Sequence, residues 1–99
     1  MNEKSFYVYM MASRIGGTLY IGVTSRLVQR VYEHRVGMVP GFTKTYGVKM
    51  LVWYEPHGSA DSAIRREKQL KEWKRAWKIQ LIEDGNPRWV DLWPELRLG

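Results

Sequence analysis

Two apolar runs near the start of the chain alternate with a period of two. Phe6-Tyr7-Val8-Tyr9-Met10-Met11 and Thr18-Leu19-Tyr20-Ile21-Gly22-Val23 are β-branched and aromatic, and Gly16-Gly17 lies between them. Two such runs joined across a Gly-Gly turn predict a β-hairpin. Successive strand side chains alternate faces, so Tyr7 and Tyr9 share one side while Phe6, Val8 and Met10 share the other. Tyr20 and Gly22 likewise fall on one face.

The period then changes. Thr24-Ser25 is a candidate cap for a helix from Arg26 to about Val36, closed by Gly37 and stopped before Pro40. Residues four apart stack on a helix, which pairs Leu27 with Val31 and Arg30 with His34, the second pair forming a polar edge. Val39 to Gly47 is rich in Gly, Pro and Thr and reads as an ordered loop or a short helical turn. Lys49 to Glu55 is the third strand, ended by Pro56-His57-Gly58. Ser59 caps the next helical stretch, with Asp61 in its first turn, and helical character runs from Ala60 to about Glu83 as one long helix or two shorter ones. Gly85-Asn86-Pro87 ends it. Ala60, Ala63, Ile64, Leu70 and Trp77 share a face on this stretch, with Glu67 in its middle. Trp89 and Trp93 close the chain without clear periodicity and read as a packed lid. The expected fold is α+β, a small three-stranded and mainly antiparallel sheet flanked by helices in the order β-β-α-β-α-α. Residues 1–99 make one expected domain with its core from about 5 to 92.

Composition narrows the chemistry. A hydrophobic fraction of 44% is that of a folded chain rather than a disordered one. There is no cysteine and there are two isolated histidines, so disulfides, thiolate metal sites and a zinc cage drop out. The N-terminus has no signal-like apolar segment and no run is long enough to span a bilayer, which suggests a cytoplasmic protein with no membrane partner. Sixteen Lys and Arg against ten Asp and Glu give a net +6, and seven of the bases lie between Arg65 and Lys78. A basic strip of this kind points to a polyanion, most often nucleic acid, or else to a solvated helix face. Arg65, Lys68, Lys71, Lys74, Arg75 and Lys78 are the candidate phosphate contacts. Trp73 is a possible stacking residue beside them, whereas Trp77 is expected in the core.

Three features carry candidate chemistry. Glu67 is a carboxylate on an apolar helix face, a costly placement unless a metal or a cation such as Lys71 or Lys74 answers it. Arg30 supplies a hydrogen-bonding fork suited to phosphate, and His34 can take or give a proton near neutral pH; both also suit a plain exposed helix edge. Tyr9 and Tyr20 are phenols that act as bases only if a neighbour draws the proton away. His57, in a Pro-Gly loop, reads as solvated.

The set resembles the GIY-YIG nuclease family, particularly its small single-domain bacterial members. Tyr7-Val8-Tyr9 stands where the family has Gly-Ile-Tyr, and Tyr20-Ile21-Gly22 is an intact second triplet. Arg30 and His34 follow on the next helix, and Ala63 to Lys71 resembles the family's metal-binding helix. Asn86-Pro87-Arg88-Trp89-Val90-Asp91-Leu92 is similar to the ending of the single-domain group. Tyr7 and Val8 depart from the first triplet at positions that shape the strand. The region Trp77 to Ile79 lacks the asparagine that many members carry on the last helix, and Asn86 is too far along to inherit that role.

What the resemblance implies is a metal-dependent endonuclease, a hydrolase of DNA phosphodiester bonds, with single- and double-stranded substrates both open. Tyr9 would deprotonate or position the attacking water with help from His34. Arg30 would stabilise charge on the phosphoryl oxygens, and Tyr20 would orient the phosphate or the water. Glu67 would hold one Mg²⁺ or Mn²⁺. A hydrated single cation held by one carboxylate plus substrate phosphate fits a chain with one core-facing acid. The alternative is a nucleic-acid-binding module that keeps the fold without cutting.

Overall fold

In a computed structural model, which describes residues 5–98, the hairpin forms one half of the sheet. β1 (Phe6–Ala12) pairs antiparallel with β2 (Leu19–Thr24) on one side and β3 (Met50–His57) on the other, giving the order β2-β1-β3. Gly16 takes φ 68° in the connecting turn, a conformation that a side chain would oppose. A register shift between Met10 and Met11 bulges the β1–β3 ladder.

Alternation along β1 feeds two separate apolar clusters. Val8, Met10 and Ala12 point to one face and pack with Ala63, Leu70, Ile82 and Trp89. Tyr9 and Met11 point to the other and pack with Leu27, Val31 and Trp93. The helices behind these contacts are α1 (Leu27–Arg35), α3 (Ala60–Glu72), α4 (Arg75–Gly85) and α5 (Trp93–Leu98), with a single turn, α2 (Phe42–Thr45), in the loop before β3. The architecture is α+β, as the period changes along the chain suggest.

Local signals set several boundaries. The Ser59 hydroxyl accepts the Ser62 N–H at 3.1 Å and caps α3 as expected. Thr24 does not cap α1; its hydroxyl accepts the Arg26 N–H at 2.9 Å and the helix begins at Leu27. The stretch after Ser59 is two helices, divided where Trp73 and Lys74 are both extended, with ψ 151° and 149°. The division re-aims the apolar face. Trp77, beyond the division, is 53% exposed, which corrects its expected core role. Within α3, Ala63 and Leu70 are buried as expected while Ile64, at the edge of the same face, is exposed, which corrects its expected place with them. Trp73 is half-buried against the Val8 cluster, its ring edge-on to Trp77 at 6.1 Å and covered by the Arg66 guanidinium.

The closing segment is a lid on both faces, Trp89 in one cluster and Trp93 in the other. Asn86 fastens it, donating to the carbonyls of Val52 and Val90 and accepting the Val90 N–H. His57, expected to be solvated, instead bridges Glu55 at 2.7 Å and the Ser62 hydroxyl, while Arg66 also donates to Glu55. That network ties the end of β3 to α3. Among the described residues no helix is long and apolar enough to cross a membrane.

Candidate active site

The β1–β2 register sets Tyr9 opposite Gly22. A Cβ at Gly22 would lie 2.5 Å from the Tyr9 hydroxyl and 2.6 Å from Cζ, so the missing side chain is what lets the ring lie across β2. The ring is thereby buried, with its hydroxyl carried toward α1.

There it meets His34. Tyr9 Oη and His34 Nε2 are 3.0 Å apart, and Nδ1 of the same ring is 3.0 Å from the Thr43 hydroxyl. Burial pushes the Tyr9 phenol up to about 12, with the neighbouring Tyr20 and Glu67 adding to the rise and Arg30 opposing it. The phenol therefore keeps its hydrogen and donates it to Nε2. With Nε2 accepting from the phenol, Nδ1 carries the ring proton and donates it to the Thr43 hydroxyl, which can donate or accept and so anchors the ring without choosing its tautomer. The sequence marks Thr43 only as one of two threonines in a Gly-Pro-rich loop. Its role comes from α2, which turns this buried hydroxyl inward.

His34 is 1% exposed, so the expected polar edge of α1 reduces to Arg30 alone. Burial, reinforced by the Arg30 charge, lowers the His34 pKa to about 4. The unfolded chain takes up a proton below its ordinary 6.5, whereas the folded chain stays neutral until about 4. Unfolding therefore consumes a proton in that window, and falling pH favours it. A loss on the order of 3 kcal/mol is expected between the two values. Urea midpoints measured from neutral pH down to 4 should fall more steeply than those of His34→Gln; parallel curves would show that His34 titrates normally.

Tyr20 and Arg30 complete the near shell. The Tyr20 ring lies 5.2 Å from the His34 ring and 6.2 Å from that of Tyr9. The Arg30 guanidinium stands beside the Tyr9 phenol, which raises its own pKa further, and it pairs with Glu33 at 3.3 Å.

Glu67 approaches from another direction. α3 packs on the Val8 face of the sheet, opposite the Tyr9 ring. At its Lys71 the helix reaches β2, where that lysine lines a depression with Leu19, Tyr20, Ile21, Phe42 and Lys78. The charge of Glu67 is felt at the Tyr9 phenol. Its side chain is 19% exposed, and Lys71 Nζ rests 2.9 Å from the carboxylate. The carboxylate thus already holds a cation, and a hard divalent ion fits the same oxygen ligand. Among the described residues no three His, Cys, Asp or Glu gather into a metal-holding group, so water and phosphate would supply the remaining ligands.

The basic strip is less uniform than its sequence. Arg65, Lys68 and Lys74 are exposed, with Lys74 lying over Trp77. Arg75 is engaged elsewhere, one of its nitrogens donating to the carbonyls of Gly16 and Gly17 at 2.8 and 2.6 Å.

A profile of the GIY-YIG catalytic domain matches residues 5–80. The chain belongs to the GIY-YIG family. That match takes in Tyr9, Tyr20, Arg30, His34 and Glu67, and makes the chain a member of a nuclease family. A UPF0213 protein of Staphylococcus haemolyticus is 33% identical over 79% of this GIY-YIG chain and 94% of that protein. Another, from Natronomonas pharaonis, is 36% identical over 79% and 91% of the two chains. The solution NMR structure of a UPF0213 protein from Bacillus halodurans superposes with a TM-score of 0.50 at 29% identity, covering 80% of this chain and 83% of that one. Asn86 lies beyond the GIY-YIG match, and its amide is fully occupied in fastening the lid.

Proposed function

We propose that the chain is a metal-dependent DNA endonuclease that hydrolyses phosphodiester bonds in the cleft between β2 and α1 that Arg30 lines. The observation that carries this reading is the buried line of hydrogen bonds from Tyr9 through His34 to Thr43, set beside the Arg30 guanidinium. A phenol and an imidazole in one oriented line, next to a phosphate-binding fork, are suited to moving a proton at a phosphate.

In the proposed reaction a water beside Tyr9 Oη gives its proton to the phenol oxygen as the phenol hydrogen passes to His34 Nε2. A phenol near 12 is a poor resting anion, so concerted transfer avoids a free phenolate. The water oxygen bonds to phosphorus and the bond to the leaving oxygen breaks. Arg30 stabilises the charge gathering on the phosphoryl oxygens, and Tyr20 orients the phosphate. Glu67 would hold Mg²⁺ or Mn²⁺, which would supply Lewis-acid stabilisation of charge at the phosphate.

Purified protein incubated with single-stranded and duplex DNA is expected to cut in Mg²⁺ or Mn²⁺ and not in EDTA. Equal cutting in EDTA would overturn the metal requirement. One contact favours the second reading, a binding module that does not cut: the Lys71 ammonium already closes the Glu67 carboxylate. Absence of cutting on every substrate, with retention of DNA that weakens steeply as salt rises, would select that reading.

A further inference from the structure

Aromatic side chains continue outward from the cleft. The Tyr20 ring is followed at 6.3 Å by Phe42, inclined at 31°, and Phe42 at 4.8 Å by Tyr46, inclined at 44°. Phe42 is 47% and Tyr46 57% exposed. Packing does not account for them, because the buried side chain of α2 is Thr43, which faces His34. Two large rings are thus turned to water, one on a four-residue turn whose inward side is already occupied and one on the residue that ends it. Lys71 and Lys78 line the same depression as Tyr20 and Phe42.

We infer that Phe42 and Tyr46 form a stacking platform for an unpaired base of a single-stranded nucleic acid, with its phosphates passing Lys71 and Lys78 toward the cleft. The inference rests on the cleft reading for its direction, but its binding test does not depend on cutting. Every base offers a π-face, so a platform of this kind is tolerant of sequence and selective for strand form. Bases inside a duplex are already stacked on one another and do not reach it. Lysine at the rim supplies the charge complementarity that an apolar protein partner would not need.

Fluorescence anisotropy in EDTA, where the strand stays whole, tests the platform on three probes: an oligothymidylate, an abasic strand of equal length and a blunt hairpin duplex. Phe42→Ala and Tyr46→Ala are each expected to weaken oligothymidylate binding about 10-fold, leaving the abasic strand and the duplex unchanged. Phe42→Trp should retain affinity and add indole fluorescence that is quenched on binding. Equal losses on the abasic strand, or no loss on oligothymidylate, would overturn the proposal. So would a Phe42→Ala chain that loses self-association while keeping its oligonucleotide affinity, which would make the patch a contact between copies. Matched thermal unfolding of the variants separates lost stacking from lost fold. A chain that binds in this way but never cuts would leave the platform standing and remove the nuclease reading.

Discussion

Arg30→Ala and Glu67→Ala are each expected to lower the rate of DNA cleavage by about 10² to 10³ while leaving the fold in place. Both side chains meet solvent. Arg30 pairs with Glu33 one turn along its own helix and stands against the Tyr9 phenol, and Glu67 pairs with a well-exposed lysine. The two ion pairs are each worth at most about 1 kcal/mol, and Tyr9 keeps its bond to His34 without Arg30. Their removal therefore takes little from stability, and a large effect on rate reports chemistry. The two losses should differ in kind. Arg30→Ala remains stimulated by metal, because the guanidinium acts on phosphoryl charge, and Arg30→Lys recovers part of the rate by restoring charge without the fork. Glu67→Ala loses the stimulation itself. Metal-dependent cutting that persists in Glu67→Ala would place the metal elsewhere and remove Glu67 from the site.

Gly22→Ala is the second large expected effect, through sterics. The added Cβ would meet Oη, Cζ and Cε1 of Tyr9 at 2.5, 2.6 and 2.8 Å. The ring cannot withdraw freely, since it is buried in the Leu27 cluster and bonded to His34. Either β2 shifts or the phenol leaves Nε2. Overpacking of this kind costs roughly 1–3 kcal/mol, and the displaced hydroxyl should take most of the cleavage rate with it. Adding Tyr9→Phe relieves the Oη contact and leaves the two carbon contacts, so the double variant should stay destabilised in urea. Wild-type stability and rate in Gly22→Ala would show that the close packing of Tyr9 over β2 is dispensable.

The sequence makes the hairpin, the face-sharing of Tyr7 with Tyr9 and the Ser59 cap legible, because each follows from spacing or from one local hydrogen bond. The pairing of Glu67 with Lys71 is visible for the same reason, being one helical turn apart. What sequence conceals is fixed by contacts between distant elements. The break at Trp73 and Lys74 has no glycine or proline to announce it; beside it Arg75 is fastened to the Gly16 and Gly17 carbonyls, fifty-eight positions or more away. Trp77 reads as core because helical phase is assumed to continue through Trp73, and the extended pair resets that phase. Thr43 and His57 were illegible in a related way. Polar side chains in loops give no sign of burial until the element that covers them is in place.

Tyr9 occupies the middle strand, with Gly22 on one flank and Tyr54 on the other. Arg30, Glu67 and the rings of Phe42 and Tyr46 sit on or just beyond the surrounding helices with one side to solvent. The molecule thus has a stiff hub and an adjustable rim. Amide exchange should be slowest through β1 and quicker around α2, so the phenol that moves the proton in the proposed reaction keeps its place while the groups proposed to meet a polyanion adapt to its shape. A change of substrate could then be written into the rim, residue by residue, without retuning the hub.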